Sequence, residues 1–340
     1  MVRRWEILQG DVRKTLRALP EKTMQTCVTS PPYFGLRDYG VNGQIGLEPT
    51  PAEYVEQMVA VFREVRRVLR DDGTLWLNIG DSYNAAGRQG HGTRQGYKQQ
   101  SNRASAIGAD SCRPSVDGLK PKDLIGIPWR VAFALQADGW YLRQDIIWHK
   151  PNPMPESVRD RCTKAHEYVF LLSKSERYYW DAEAMKEEAV GQNLHDLTGP
   201  GYTAPGQTPN TGNRSRRDSF KREASKRAEV IPGQTVGTHR PDRPESEYDV
   251  FTRNRRSVWT VATRPYKGAH FATFPPALIE PCILAGAPFG GLVLDPFTGS
   301  GTTAAVALQH GRRFIGCELN PDYIKLAEAR IAAAEAEVLW

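Results

Sequence analysis

The chain has 340 residues, of which 40% are hydrophobic, and it carries a formal net charge of +6 with a pI near 9.0. This apolar content is too high for a disordered chain and can support either one large domain with insertions or two smaller domains. No stretch approaches the ~20 apolar residues of a membrane-spanning helix, and the N-terminus leads into a strand-like run instead of a signal peptide. We expect a cytoplasmic protein with no membrane association, and the positive charge favours a polyanionic partner.

Short strands alternate with helices in the N-terminal half. Thr50, Pro51 and Glu53 form a capping box with proline at the first helical position, and apolar residues then recur at helical spacing as far as Leu69. The Asp-Gly pair that follows predicts a turn into a buried central strand. The predicted elements of this half are, in order, a strand at 5–8, a helix ending at Pro20, a strand at 26–28, a helix from Pro51, a strand at 74–79, a helix at 128–139 and strands at 140–148 and 166–172.

The C-terminal unit repeats this alternation more clearly. A strand at 292–295 leads into a glycine-rich turn and an alanine-rich helix that ends before Gly311. A strand at 314–318 follows, and the closing helix is capped by Asn320. Residues 84–120 and 190–256 break the pattern, because they are rich in Gly, Gln, Ser and Arg without apolar periodicity, and we interpret both as insertions outside the sheet.

The turn DPFTGSGTT at residues 295–303 suits a nucleoside cofactor. Glycine has no Cβ, so backbone N–H groups and the start of the next helix can approach a ligand closely. Glu318 ends the following strand, where its carboxylate can accept hydrogen bonds from both ribose hydroxyls. The turn also satisfies the Gly-x-Gly-x-x-Ala pattern of dinucleotide binding, so a nicotinamide-dependent oxidoreductase is an alternative. Only one strand follows the turn, however, so the rest of the sheet must come from the N-terminal part in a circularly permuted order.

The loop TSPPY at residues 29–33 offers acceptors and an aromatic face to a flat base that carries an amine. An exocyclic amine is a poor nucleophile because its lone pair is delocalised into the ring. The Ser30 hydroxyl and the Pro31 carbonyl can accept its two N–H bonds, which localises the lone pair. Tyr33 can stack on the base, and Pro32 stiffens the backbone. Together the two loops predict methylation of a DNA base.

The ordered set formed by residues 29–33, by HFATFP at 270–275 and by residues 295–303 resembles the β-group of DNA amino-methyltransferases. The resemblance implies an α/β fold, a circularly permuted Rossmann-like methyltransferase sheet that is mostly parallel, with helices on both faces and inserted basic target-recognition segments. The implied domains are a catalytic-loop half at 1–83, a flexible basic insert at 84–122, remaining sheet strands at 123–182, a target-recognition insert at 183–257 and a cofactor-binding half at 258–340.

The same resemblance implies S-adenosylmethionine as the cofactor, without a metal. The residues that it implies for the methionine part of the cofactor are Asp295, Phe297, Gly299, Ser300, Gly301 and Thr302, closed by Phe271 and Thr273. Glu318 would hold the ribose. Asp11 would contact the adenine amino edge, although a helix cap after Gly10 is an equal alternative.

The catalytic residues implied are Ser30, Pro31, Pro32 and Tyr33. A loop with serine first is more often associated with cytosine N4, and adenine N6 is the alternative. The target nucleotide must be flipped out of double-stranded DNA, because its amine is inaccessible in the stack. The resemblance also implies a prokaryotic or phage enzyme, a possible homodimer and a possible cognate restriction endonuclease that acts separately.

Three further segments have two interpretations each. In the family, a segment like 148–155 (WHKPNPMP) lines the base pocket, and one like 80–83 (GDSY) lies near the site; the alternatives are a rigid connector and a helix cap by Asp81. Basic residues in both insertions suit phosphate contacts, but charge runs are usually solvated faces. The seven that cluster in the second insertion are Arg214, Arg216, Arg217, Lys221, Arg222, Lys226 and Arg227.

The remaining alternatives depend on single features. Methylation at cytosine C5 needs a cysteine nucleophile, and Pro281-Cys282 is present, but its apolar surroundings favour a core thiol. The five cysteines are scattered without a C-x-x-C spacing, which favours reduced structural thiols. A protein or RNA amide methyltransferase would usually place asparagine first in the loop, and a silent DNA-binding protein would not need Ser30, Tyr33 and Glu318.

Overall fold

The computed structural model describes residues 4–84, 118–188, 252–263 and 273–338. The strands of this part are β1 (Trp5–Gln9), β2 (Met24–Thr29), β3 (Leu69–Ile79), β4 (Tyr141–His149), β5 (His166–Ser173), β6 (Lys186–Glu188), β7 (Thr252–Asn254), β8 (Val258–Thr260), β9 (Leu292–Asp295) and β10 (Arg313–Glu318). Its helices are α1 (Val12–Ala18), α2 (Pro51–Val68), α3 (Ile127–Ala137), α4 (Pro276–Gly286), α5 (Thr302–Gln309) and α6 (Pro321–Val338). None of these helices has the length and apolarity that crossing a membrane requires.

The chain divides into two compact units, residues 1–185 with 256–340 and residues 186–255. The described part of the second unit is the antiparallel pair β6–β7, in which Arg253 Nε donates to Glu187 Oε1. The basic residues predicted to contact DNA lie in 85–117 and 189–251, outside the described residues. The five-part domain division therefore stays a prediction.

Eight strands of the first unit form one sheet in the order β1-β10-β9-β2-β3-β5-β4-β8. The pairs from β1 to β3 are all parallel, β5 is antiparallel to both of its neighbours, and β8 is parallel to β4. The C-terminal strands β9 and β10 lie between β1 and β2 from the N-terminus. The permuted, mostly parallel α/β sheet is therefore confirmed.

Helices cover both faces of this sheet, and the side chains of each strand alternate between them. On β3, Leu75 and Leu77 pack into the core under α1, α2 and α3, whereas Trp76 between them packs into the core under α4, α5 and α6. This alternation is the two-residue period of a strand. Because both faces are covered, the central strands consist of nearly continuous apolar residues.

The start of β3 differs from the prediction. Leu69 does not continue the apolar stripe of α2 but begins the strand and pairs with Met24, and the next registered pair joins Thr26 to Thr74. Residues 70–73 therefore form an irregularity within an 11-residue strand, not a turn before it. The reason is burial: Leu69 is fully buried in the same core as α2, so the strand extends back to it.

The first insertion leaves and rejoins the sheet unit at one point. Asn84 is 3% exposed, its backbone N–H donates to the Asp123 carbonyl, and its side chain donates to the Leu119 and Lys120 carbonyls. Tyr83 and Leu124 form an isolated bridge beside it. The two ends of this insertion are thus held together by hydrogen bonds.

Candidate functional site

The predicted site residues lie at one edge of the sheet. Since β1, β2, β9 and β10 are parallel, their carboxyl ends meet there and place Asp11, Ser30, Asp295 and Glu318 on neighbouring loops. A cavity of about 610 Å³ opens at this edge and is lined by residues of both predicted loops. Every predicted site residue lines this cavity except Gly301 and Phe271, and Phe271 lies outside the described residues.

Asp295 connects the two loops. Its buried carboxylate accepts hydrogen bonds from the Thr29 hydroxyl at 2.6 Å, the Thr303 hydroxyl at 2.7 Å and the Phe297 backbone N–H at 3.0 Å. Burial raises the pKa of this carboxyl to about 6. Because these bonds use the side chain internally, Asp295 fixes the glycine turn directly beside the loop that begins at Ser30.

Glu318 holds the glycine turn from the other side. One carboxylate oxygen accepts from the Gly299 N–H at 2.8 Å, and the other accepts from the Asn320 N–H at 2.8 Å. Burial raises the pKa of this carboxyl as well. Each oxygen keeps a second lone pair for a ligand. Gly299 has a φ of +51°, and a Cβ added there would meet nothing closer than 3.9 Å, so its backbone stays open to the cavity.

Gly301 has a different role from its neighbours. Its φ is +77°, and an added Cβ would lie 2.9 Å from the Ala327 Cβ on α6, so this glycine allows α6 to pack close behind the turn. Arg330, one helical turn further on, donates to the Thr302 hydroxyl at 2.7 Å and to the Ser300 hydroxyl at 3.2 Å. Sequence reasoning missed Arg330, since nothing in its neighbourhood along the chain points to the turn.

The loop at residues 29–33 is fixed by α2. The buried Tyr54 hydroxyl donates to the Pro32 carbonyl at 2.8 Å. Among the described residues no hydrogen bond reaches the Pro31 carbonyl. Ser30 and Pro31 both line the cavity. Pro31 thus keeps the acceptor that an amine requires, whereas the acceptor of Pro32 is used to hold the loop.

Comparison with known proteins assigns the chain to a family. A family model described as a DNA methylase of the N6 and N4 class matches residues 24–329. The chain belongs to this family of DNA methylases. The predicted resemblance is confirmed, and with it an amino-methyltransferase that uses S-adenosylmethionine as methyl donor. The nicotinamide-dependent oxidoreductase that the glycine pattern left open is thereby set aside.

The methylase is similar to several known proteins over nearly its whole length. It is 45% identical to the type II methyltransferase M.SmaI of Serratia marcescens over 97% of this chain and 91% of that protein. It is 44% identical to the type II methyltransferase M.Cfr9I of Citrobacter freundii over 98% of this chain and 89% of that protein. Among solved structures, the PvuII DNA methyltransferase (cytosine-N4-specific) has a TM-score of 0.58 at 18% identity and covers 99% of this chain and 93% of its own, which shows the fold.

A polar network holds the hydroxyl of Tyr33 in the methylase. Its hydroxyl donates to Glu167 Oε2 at 2.7 Å and lies 3.3 Å from Asn78 Oδ1. Glu167 also accepts from Lys150 Nζ, which lies 4.3 Å from the centre of the Trp148 ring. Burial, with the Glu167 charge beside it, raises the pKa of Tyr33, so its hydroxyl stays protonated. Sequence reasoning missed Glu167 and Asn78, because only the antiparallel pairing of β5 with β3 and β4 brings them to this edge.

We predict that Gly80→Ala displaces Tyr33. A Cβ at Gly80 would lie 2.6 Å from Tyr33 Cε2, a distance that forces the ring to move. We expect methyl transfer at least about tenfold slower, with little change in cofactor affinity. The control is a double-mutant cycle with Tyr33→Ala: once the ring is removed, Gly80→Ala adds no further loss. If Gly80→Ala slows methyl transfer by the same factor in the parent chain and in Tyr33→Ala, the clash with the Tyr33 ring is not the cause.

We also predict a pH-dependent stability difference for Asp295→Asn in the methylase without cofactor. A carboxyl whose pKa rises from 3.8 to about 6 on folding stabilises the fold fully below pH 3.8, and that contribution is lost as the pH rises through 6. Asparagine stays neutral. The free energy of unfolding of the variant, relative to the parent chain, should therefore increase by about 2 kcal/mol between pH 4 and 7. Urea unfolding of both proteins across this pH range measures the difference in their free energies of unfolding. A difference that does not change with pH would contradict the raised pKa of Asp295.

The structure describes the contacts of three residues for which the sequence left two roles open. Asp81 accepts hydrogen bonds from Gly126 N at 3.0 Å and from Ile127 N at 3.0 Å, so it caps α3. Asp11 accepts from Arg13 N at 2.9 Å and caps α1, while also lining the cavity; its adenine contact stays a prediction. Cys282 is 1% exposed within α4, and its thiol donates to the Leu278 carbonyl, as expected for a core thiol.

Proposed function

We propose that this methylase transfers a methyl group to the N4 amine of cytosine at a specific site in double-stranded DNA. The observation that carries the proposal is that Ser30 and Pro31 line the same cavity as the glycine turn, with the Pro31 carbonyl left as an acceptor. Serine at the first position of the loop is the feature that favours cytosine over adenine. Adenine N6 is the second candidate, because the same acceptors suit its amine.

The residues of the cavity fit the cofactor. Asp295 is a buried carboxylate and Glu318 a half-buried one on its wall, and neither forms an ion pair with a Lys, Arg or His among the described residues. A cationic ligand suits such a wall. When bound, S-adenosylmethionine supplies a methyl group activated by its positively charged sulfur. Glu318 would hold the ribose. The N–H groups of Phe297 and Gly299 are used by Asp295 and Glu318, so the carbonyl oxygens of these two residues would be the backbone groups left for the methionine part.

The chain's own residues position and activate the amine. The Ser30 hydroxyl and the Pro31 carbonyl accept its two N–H bonds, which moves the nitrogen toward a tetrahedral shape and directs its lone pair away from the ring. Tyr33, held by Glu167, offers its ring to the base. After transfer the cationic nitrogen releases a proton to water. Positioning supplies much of the rate, and neither a metal nor a covalent nucleophile is required.

The DNA partner follows from the family and from the charge of the chain. Its net charge of +6 favours a polyanion, and the basic insertions lack the apolar periodicity that marks the sheet strands in the sequence. We assign target recognition to 84–122 and 183–257. Since M.SmaI and M.Cfr9I are named type II methyltransferases, we propose that the chain serves as a modification enzyme beside a separate endonuclease. A homodimer stays a prediction of the resemblance.

The base identity is tested by expressing the chain in cells that lack other DNA methyltransferases. Mass spectrometry of the digested nucleosides should detect N4-methylcytosine, and sequencing that reads modified bases should place it at one recurring site. The matched control is the Ser30→Ala variant, which should leave most copies of the site unmodified. Detection of N6-methyladenine alone would overturn the cytosine assignment but keep the amino-methyltransferase, and unmodified DNA would overturn both.

A further inference from the structure

An exposed methionine lies at the mouth of the cavity, on the segment between β4 and β5. Met154 is 86% exposed, yet it lines the cavity that holds Ser30 and Tyr33. Exposed apolar side chains are common singly on protein surfaces. What distinguishes Met154 is its position beside the opening through which a base must enter.

Hydrogen bonds and prolines restrain the segment that carries Met154. The Asn152 side chain forms two hydrogen bonds with the Thr263 backbone, donating to its carbonyl at 3.1 Å and accepting from its N–H at 2.9 Å. Prolines precede and follow Met154 directly, and each fixes its own φ. At the other end of the segment, the Arg161 guanidinium lies 4.0 Å from the centre of the Tyr83 ring. The restrained backbone therefore keeps the Met154 side chain exposed to solvent.

We propose that Met154 is a wedge that enters the DNA base stack and occupies the space left when the target base is flipped into the cavity. The inference rests on the proposed function, because only a flipped base leaves such a gap. The gap is bounded by the apolar faces of two base pairs, and an unbranched thioether side chain adapts to a space of this kind. Contact with those faces would also remove the exposed Met154 side chain from water.

The test compares two duplexes that carry the mapped recognition site and differ opposite the target. In the first the target is fully paired, and in the second it faces an abasic site, which lowers the cost of flipping. We expect Met154→Ala to slow single-turnover methylation of the paired duplex by about tenfold or more, and that of the abasic duplex by less than about threefold. Met154→Leu should retain most of the rate on both. A 2-aminopurine at the target position should fluoresce less when bound by Met154→Ala than by the parent chain.

The matched control is Phe289→Ala. Phe289 is 83% exposed but lies in the loop before β9, at the opposite edge of the sheet, and its removal should leave methylation of both duplexes unchanged. Thermal melting and cofactor binding of each variant exclude misfolding as the cause of a slower reaction. If Met154→Ala is as fast as the parent chain, or is slowed equally on both duplexes, the wedge is overturned. Failure of the proposed function is separate, since it appears as a different methylated base, or as none, with the parent chain itself.

Discussion

Replacing Ser30 by alanine is expected to slow methyl transfer by about 10²- to 10³-fold, the loss typical of removing one preorganised hydrogen-bond partner from an active site. The hydroxyl is one of two acceptors for the target amine, and the Pro31 carbonyl alone leaves one N–H bond of that amine without a partner. The affinity for S-adenosylmethionine should change little, because the glycine turn is fixed by Asp295 and Glu318. Single-turnover kinetics with the mapped duplex measures the first effect, and calorimetry measures the second.

The control for Ser30 is Ser175→Ala. The Ser175 hydroxyl donates to the Asp71 carbonyl at 2.6 Å, next to the start of β3 and away from the cavity, so its removal should not affect methyl transfer. A Ser30→Ala variant with the rate of the parent chain would show that the loop does not activate the amine as proposed. A variant that loses cofactor affinity by the same factor as its rate would show that Ser30 acts on the cofactor instead.

Replacing Glu318 by alanine is expected to weaken S-adenosylmethionine binding by about 100-fold or more, since hydrogen bonds to a charged group contribute about 1.5–3 kcal/mol each. Two losses combine in this variant. The ribose hydroxyls lose their carboxylate, and the backbone N–H groups of Gly299 and Asn320 lose the acceptor that shapes the turn. Glu318→Gln keeps one acceptor and should show a smaller loss. Isothermal calorimetry at a fixed pH measures the cofactor affinity of the parent chain and of both Glu318 variants.

S-adenosylhomocysteine separates the causes of this loss. It keeps the ribose but lacks the positive charge on sulfur, so a carboxylate that acts on the ribose should produce a similar loss with both ligands. A loss confined to the charged cofactor would assign Glu318 to charge balance instead. The control variant is Glu280→Ala, which removes a half-exposed carboxylate on α4 that pairs with His310, and cofactor binding should be unchanged in it. Affinity within about threefold of the parent chain for Glu318→Ala would contradict the assignment.

Much of the fold could be predicted because local patterns and global packing agree. Thr50 accepts from the Glu53 N–H as its capping box predicts, and the apolar spacing from Tyr54 to Val65 marks the buried face of α2. The prediction failed at Leu69, where one apolar residue suits the helix stripe and the strand equally. Only the pairing of Leu69 with Met24 decides between them.

The candidate site was predictable where it follows strands directly and was missed where it depends on pairing. Ser30, Asp295 and Glu318 each end or follow a parallel strand, so their meeting at one edge is a consequence of strand direction. Glu167 is the second residue of β5, and the sequence alone does not state that this strand is antiparallel. For Asp81, the sequence left a site role and a helix cap open, and its two hydrogen bonds to the start of α3 show the cap.

The sequence by itself determined the alternation of strands and helices and the two loops, because each of these is encoded in residues close together along the chain. The order of the motifs along the chain was enough to indicate the permutation and the family. The tertiary structure alone decided the contacts between distant segments. Among these are the carboxylate of Asp295 between Thr29 and Thr303, the guanidinium of Arg330 behind the glycine turn, and the network of Tyr33 with Glu167. The physical reason is that a hydrogen bond depends on the final positions of both partners, and those positions exist only when the whole sheet has formed with its helices packed on both faces.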